Sequence, residues 1–331
     1  MKSEIITLLR QRGAYVSGQE LCERFGVSRT AIWKNIEQLK RDGYQIDAVK
    51  NRGYLLKESA PCVFGRTEIE SRRKTKWIGQ TTHYYDSIDS TNSQAKRLAE
   101  EGALDGTVVV ADRQTAGRGR RGRGWMSPAG KNLYFTILLR PKLAPDKASM
   151  LTLVMALAVA RGIQKTTPST AKQIGIKWPN DIVINGRKVC GILTEMSLSV
   201  EQNCIDHLAI GVGINVARQS FPEEIKERAV ALDEICDDVN RSELLANILQ
   251  EFEQVYARFM ETEDLQDLLS AYHAMLVNMD RYVRVLDPKG EYDGIARGIK
   301  STGELIVELP DGTRRDVYAG EVSVRGIYGY A

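Results

Sequence analysis

The segment Gly117-Arg118-Gly119-Arg120-Arg121-Gly122-Arg123-Gly124-Trp125 places four glycines and four arginines in nine residues. It has neither the apolar period of a helix nor that of a strand. Residues 107–111 before it and 132–139 after it are apolar, β-rich runs, so it is a loop held at both ends by a folded domain. Glycine removes side-chain bulk and permits positive φ, so the backbone can approach a ligand closely. Arginine supplies charged forks suited to phosphate and carboxylate oxygens, and an aromatic at the end offers a stacking face. The spacing predicts an ordered anion site. A disordered arginine–glycine segment that binds RNA is the alternative, and the flanking strands argue against it.

Positions 117, 119 and 122 formally match G-x-G-x-x-G. A dinucleotide fingerprint, however, opens a helix and is followed about 20 residues on by an acid. Here Pro128 and a strand follow, and Leu139-Arg140-Pro141 occupy the later position. The chain has no G-x-x-x-x-G-K-[ST], no H-E-x-x-H and no G-x-S-x-G, and its five cysteines include no C-x-x-C pair. These patterns leave no expectation of zinc, haem, flavin or NAD. The odd, scattered cysteines point to a reducing cytoplasm, and residues 1–12 do not read as a secretory signal. The longest apolar run, residues 150–160 interrupted by Thr152, is about half of what a spanning helix needs.

A length of 331 residues suggests two or three domains. Charge separates one of them. Residues 1–60 hold 11 Lys/Arg against 7 Asp/Glu, a net +4, whereas residues 61–331 hold 35 against 36. A small basic head is what a polyanion partner requires. Within it, Ile5, Ile6, Leu8 and Leu9 predict a helix ending near Gly13. Ser17 caps a second helix that stops at Gly26, and Ser28 caps a third with Ile32, Ile36 and Leu39 facing a core. Residues 44–49, the turn Lys50-Asn51-Arg52-Gly53 and residues 54–57 predict a hairpin with a basic tip. Together these form a winged helix-turn-helix. Ser28, Arg29, Thr30, Trp33 and Lys34 lie on the outward side of the third helix as DNA-binding candidates. Arg29 and Trp33 are assigned to base readout, and Lys50 and Arg52 to phosphate or minor groove. A three-helix domain used for protein contact is the other reading. Ser59-Ala60-Pro61 reads as a joint, and Arg72-Arg73-Lys74 as a solvated helix end.

In Lys177-Trp178-Pro179-Asn180-Asp181, followed by apolar residues 182–184, Asn185-Gly186 and Arg187-Lys188-Val189-Cys190-Gly191, the Asn-Gly pair predicts a type I′ hairpin. In that register Ile184 faces Arg187, Val183 faces Lys188 and Asp181 faces Cys190. Asp181 and Lys188 are then diagonal neighbours on one face, with Lys177 joining them if Pro179 adds no bulge. Lysines there could neutralise phosphate, and Asp181 could hold Mg²⁺; a surface ion pair is the alternative. Asp89-Ser90-Thr91-Asn92-Ser93 taken alone is a helix cap. Residues 209–216 read as a buried strand whose glycines admit another backbone or a ligand.

These pieces, in this order behind a winged helix, resemble the bacterial bifunctional biotin protein ligase and biotin operon repressor family over essentially the whole chain. The resemblance implies an α+β, multidomain protein. Its parts are a winged helix-turn-helix (1–60), a central mixed-sheet α/β ligase domain (61–278) and a C-terminal SH3-like β-barrel (279–331). The barrel strands lie near residues 283–286, 295–299, 305–309 and 321–324. It implies formation of biotinyl-5′-AMP from biotin and ATP with Mg²⁺, and transfer of biotin to a lysine of biotin carboxyl carrier protein. It further implies a ligand-promoted homodimer on the operator DNA of biotin genes, away from any membrane.

By the same resemblance Ser90, Thr91, Gln114, Arg118, Lys188 and Gly191 contact biotin. Arg120, Arg121, Arg123, Trp125, Lys177, Asn180 and Asn215 contact the nucleotide. Lys188, Arg118 and Arg120 carry the catalysis, and the family's Gly/Arg loop orders on ligand arrival. Residues 217–232, expected to end in a polar helix, correspond to a variable loop over the nucleotide and carry no assigned contact. A transcription factor that has lost catalysis and a ligase for lipoate or another small acid are the rival readings.

Overall fold

The computed structural model describes residues 1–57, 63–199, 204–287, 290–319 and 323–326. The joint at Ser59–Pro61 lies outside them. The described chain divides into two compact units, Met1–Arg73 with Asn240–Ala246, and Lys74–Val239 with Asn247–Ala331.

The first unit contains helices α1 (Lys2–Arg12), α2 (Gly18–Phe25) and α3 (Arg29–Arg41), strands β1 (Ile46–Val49) and β2 (Gly53–Leu56), and helix α4 (Arg66–Arg72). Local chemistry sets the helix ends. Gly13 and Gly26 close α1 and α2 in left-handed conformations, while Ser17 Oγ and Ser28 Oγ accept the Glu20 and Ala31 N–H groups. Ile5, Ile6, Leu9, Leu21, Ile32, Ile36 and Leu39 are fully buried together, and β1 pairs antiparallel with β2.

The basic cluster at the end of α4 departs in part from its sequence reading as a solvated helix end: Lys74 is exposed, but Arg72 is not. Arg72 is held by Glu68 and lies 3.3 Å from Glu243, and both oxygens of the buried Glu68 also accept from Arg10 Nη2, at 2.8 and 2.9 Å. A carboxylate as buried as Glu68 requires such partners, because desolvation is too costly for an unpaired charge.

The second unit holds β3 (Thr82–Tyr85), α5 (Thr91–Glu100), β4 (Val108–Ala111), β5 (Leu133–Leu139) and α6 (Met150–Thr166). There follow β6 (Ile174–Lys177), β7 (Asp181–Ile184), β8 (Arg187–Ser199) and β9 (Cys204–Ile214), most of α7 (Arg241–Thr262), and α8 (Leu269–His273). Seven strands form one sheet in the order β3-β4-β5-β9-β8-β7-β6. Only β3 and β4 are parallel, with α5 as their crossover; the other neighbours are antiparallel. Strands β4 and β5 are buried along their whole length and anchor the Gly/Arg loop.

The hairpin of β7 and β8 turns at Asn185 and Gly186, both at positive φ as a type I′ turn demands. Ile184 pairs with Arg187 and Val183 with Lys188 as the spacing predicts. A bulge then shifts the register, so Asp181 faces Gly191 rather than Cys190. The expected polar helix after Pro222 is replaced by hydrogen-bonded turns, because the chain joins the sheet instead. Lys188 N–H donates to Arg228 O at 2.6 Å, and Val230 N–H to Lys188 O at 3.0 Å.

The unit ends in an antiparallel five-stranded sheet of β10 (Arg281–Leu286), β11 (Tyr292–Ile299), β12 (Leu305–Glu308), β13 (Arg314–Val317) and β14 (Ser323–Gly326), ordered β13-β12-β11-β10-β14. Its apolar side includes Val283, Val285, Leu305 and Val307. Strand β13 had no sequence signal, and part of the stretch 321–324 lies outside the described residues.

Candidate active site

A cavity opens over β8 and β9, between the start of α5 and the Gly/Arg loop. Its floor exists because two residues of β9 lack side chains. A Cβ on Gly211 would lie 2.0 Å from Asn92 Oδ1, and one on Gly213 would lie 2.5 Å from Trp125 Nε1. The close approach expected of another backbone or a ligand at these glycines is made instead by two side chains.

Asn92 is the residue that sequence reasoning missed. It occupies the floor, accepting from Thr136 Oγ1 at 2.7 Å and donating to Leu193 O at 3.1 Å and Glu195 Oε2 at 2.9 Å. Its signal was present in D-S-T-N but was absorbed by the helix-cap reading. Ser90 does take the N-cap position of α5, yet its buried side chain makes no cap hydrogen bond. Neighbouring Asp89 instead accepts both Arg97 nitrogens, at 2.9 and 2.8 Å. The Arg97 hydrogen bond, reinforced by the Ser90 N–H, pulls the Asp89 carboxyl down to about 2.

Thr91 donates through its backbone N–H and its hydroxyl to Gln114 Oε1, and Gln114 donates to Ser127 Oγ at 3.0 Å. These bonds tie α5 to both ends of the loop. Ser90, Thr91, Gln114, Arg118, Arg120, Trp125, Asn180, Lys188 and Gly191 all line the cavity, as do Ile192, Leu193 and Val212, to which the sequence assigned no contact.

Three cations converge here. Arg118 Nη2 donates to Ser93 Oγ at 3.0 Å and to Glu195 Oε2 at 3.3 Å. Arg120 donates to Asn180 Oδ1 at 2.9 Å and also to Ala319 O. Burial lowers the Arg120 pKa, opposed by Asp181 and abetted by Arg121 and Arg123, so an anion beside it would relieve a real desolvation cost. Lys188 Nζ lies 2.6 Å from Asp181 Oδ1 and 5.3 Å from the centre of the Trp125 ring. Trp125 Nε1 is buried with no hydrogen-bond partner among the described residues.

Five expected residues lie off the cavity lining. Arg121 and Arg123 are exposed on the loop; Asp181 stands behind Lys188; Lys177 is buried opposite Asp181. Asn215 is buried too, its N–H on Val189 O and its Nδ2 donating to Val230 O. No cluster of three or more His, Cys, Asp or Glu suited to a metal occurs among the described residues. A cavity lined by Ile192, Leu193 and Val212 on one side and by three cations on the other suits an acid with a partly apolar body, joined to a second anionic reactant.

In the first unit, Ser28, Arg29, Thr30, Trp33 and Lys34 are exposed on one end of α3, with Trp33 55% exposed. Arg29 is steadied by Gln19 at 2.9 Å. Lys50 and Arg52 are exposed at the hairpin tip, Arg52 lying 4.4 Å above the Tyr15 ring. An exposed tryptophan with cations around it has no packing role and suits a nucleic-acid face.

Comparison with known proteins places both units in described families. Residues 84–215 match the biotin/lipoate A/B protein ligase family, residues 2–55 an HTH domain and residues 280–325 the biotin protein ligase C-terminal domain. The chain is 37% identical to the bifunctional ligase/repressor BirA of Bacillus spizizenii over 98% of both chains. It is 33% identical to that of Escherichia coli K12 over 97% of this chain and 96% of the relative. The biotin protein ligase from Aquifex aeolicus, solved in complex with biotin and ATP, superposes with a TM-score of 0.65 at 33% identity, covering 75% of this chain and 99% of that one. With relatives matched end to end at this identity, the chain belongs to the family of the bifunctional ligase/repressor BirA.

Proposed function

We propose that this protein condenses biotin with ATP to biotinyl-5′-AMP and passes the biotin to a lysine of biotin carboxyl carrier protein. With the adenylate bound, it acts as a DNA-binding repressor of biotin genes. The observation that carries the enzymatic reading is the convergence of Arg118, Arg120 and Lys188 on one cavity that Ile192, Leu193 and Val212 also line.

In the first step a biotin carboxylate oxygen bonds to the α-phosphorus of ATP while the bond to pyrophosphate breaks. Two anions must meet, and each close pair of unit charges repels by about 4 kcal/mol at about 4 Å in a partly exposed site. The three cations offset that repulsion, and positioning supplies most of the rest. Lys188 bridges the carboxylate and the α-phosphate; Arg118 and Arg120 hold the activated carboxyl and the phosphates. Arg121, Arg123 and Lys177 add positive field. Trp125, Asn180 and Asn215 hold the nucleotide, Trp125 by its ring face.

Ser90, Thr91 and Gly191 receive the biotin head, along with Gln114, whose amide has a second N–H beyond the one given to Ser127. Mg²⁺ would accompany ATP as its counter-ion and screen the leaving pyrophosphate; held mainly by phosphate oxygens it needs only one or two protein carboxylates, and Asp181 would be the carboxylate to supply one. In the second step the carrier's lysine amine attacks the acyl carbon, AMP leaves with the bonding electrons, and the amine loses a proton. No enzyme nucleophile is required.

The chain works as three domains, 1–60, 61–278 and 279–331, the last an SH3-like barrel. It acts in the cytoplasm as a ligand-promoted homodimer on operator DNA, consistent with two-fold recognition of a palindrome. Among the described residues no helix is long and apolar enough to cross a membrane. Calorimetry of the full chain with biotin and with lipoate tests the substrate: binding of biotin alone supports the assignment, and binding of lipoate alone overturns it.

A further inference from the structure

Glu195 lies beside the cavity without lining it, yet a sheet, a helix and the loop meet at its carboxylate. It projects from β8. Lys96 Nζ from α5 reaches Oε1 at 2.9 Å, Asn92 Nδ2 reaches Oε2 at 2.9 Å, and Arg118 Nη2 from the loop reaches Oε2 at 3.3 Å. Burial would raise the Glu195 carboxyl. The hydrogen bonds from Lys96 and Asn92, with the charges of Lys96 and Arg118, outweigh it and hold the group below its ordinary value, so it is ionised at neutral pH. Without that negative charge, Lys96 and Arg118 would face one another as like charges.

Arg118 needs such an anchor. It sits between Gly117 and Gly119 in a glycine-rich loop, and its side chain is 44% exposed. Fixing a side chain of that length costs about 1.5–2 kcal/mol of rotamer freedom. Its protein partners among the described residues are Ser93 and Glu195, both on Nη2. The guanidinium can therefore keep Nη2 on Glu195 and offer its other N–H groups to an anion in the cavity it lines.

We propose that Glu195 is a positioning residue for acid activation: its carboxylate, itself fixed by Lys96 and Asn92, sets Arg118 in place to receive the carboxyl of the bound acid. This rests on the assignment of biotin adenylation to the cavity. Because the contact serves bound acid and transition state alike, its loss falls on KM rather than kcat.

The test is a double-mutant cycle on the full chain, with Glu195→Gln, Arg118→Ala and the two combined, reading pyrophosphate release against biotin concentration. Glu195→Gln is expected to raise the biotin KM about tenfold with kcat within about threefold of wild type, and to add less than about twofold when Arg118 is already alanine. An unchanged KM, tighter biotin binding, or an equal tenfold loss in the Arg118→Ala background would each overturn the role; additivity is what a merely structural residue gives. Should Glu195→Gln fail to fold, Ser93→Ala removes the other partner of Arg118, and its KM rise must likewise vanish in Arg118→Ala. An inactive wild type would sink the adenylation reading and this role together, whereas an active wild type with an unaffected Glu195→Gln sinks only this role.

Discussion

Lys188 and Asp181 form an ion pair 2.6 Å long across the β7–β8 hairpin, where a bulge at Val189 shifts the register between Val183 and Ile182. Their side chains are 23% and 13% exposed, so solvent screens the pair only in part. The extra residue in β8 is what brings Asp181 opposite Gly191 while leaving Lys188 within reach of both its carboxylate and the Trp125 face. An arriving carboxylate or phosphate thus meets a lysine whose position is already set, and preorganisation of this kind is what electrostatic catalysis requires.

Replacing Lys188 by alanine should abolish adenylate synthesis, by at least about a hundredfold, because the site loses charge stabilisation where the two anions meet. It should also take the Lys188 ion pair from the partly buried Asp181, which keeps its Asn180 hydrogen bond, at a cost of about 2 kcal/mol. Arg120→Ala should lose synthesis as well. Pyrophosphate release and urea unfolding of each purified variant check both effects; normal synthesis by either would contradict its role.

Gly213→Ala places a methyl group 2.5 Å from Trp125 Nε1, and Gly211→Ala places one 2.0 Å from Asn92 Oδ1. The first should displace Trp125, shift its fluorescence and raise the ATP KM by at least about tenfold. The second should break the Asn92–Thr136 bond and lower stability by about 1–3 kcal/mol, as overpacking does. A crystal structure of either variant with Trp125 or Asn92 unmoved would contradict the packing described.

On DNA, Lys50→Ala and Arg52→Ala should weaken binding to all sequences and reduce the log–log salt slope by about 1 each. Trp33→Ala should instead erode discrimination between operator and unrelated DNA. Titrations at several salt concentrations separate the two outcomes, and none of the three variants should change pyrophosphate release.

Asp89 supplies an acid-sensitive contribution. Its pKa falls from an ordinary value near 4 to about 2 through the Arg97 hydrogen bond. A carboxyl depressed on folding stabilises the protein above its unfolded pKa and loses that contribution as pH falls through the folded one. The loss therefore runs from about pH 4 to about pH 2. With the Asp89 side chain 45% exposed, it is worth less than about 1 kcal/mol. Asp89→Asn should flatten this part of the melting-temperature profile, and an unaltered profile would contradict the pairing.

Local chemistry made much of this frame legible in advance. Ser17 and Ser28 cap their helices, Asn185-Gly186 turns its hairpin, and Arg118, Arg120 and Lys188 share a cavity because charge and glycine were concentrated in short segments. What stayed hidden depended on partners remote in sequence. Arg72 looked solvated because Glu243 lies 171 residues away; Asn92 looked like a cap residue because Thr136 and Glu195 lie 44 and 103 residues away. Strand β13 reads Arg314-Arg315-Asp316-Val317, with three exposed polar residues and no apolar alternation to announce it. The bulge beside Val183 has no turn residue or proline to mark it.

The most direct measurement is the product formed when the full chain is incubated with biotin, ATP and Mg²⁺ and no carrier protein. Biotinyl-5′-AMP and pyrophosphate should appear in equal amounts with wild type and be absent with folded Lys188→Ala. Pyrophosphate release that requires lipoate instead of biotin, or no adenylate from wild type at all, would contradict the assignment.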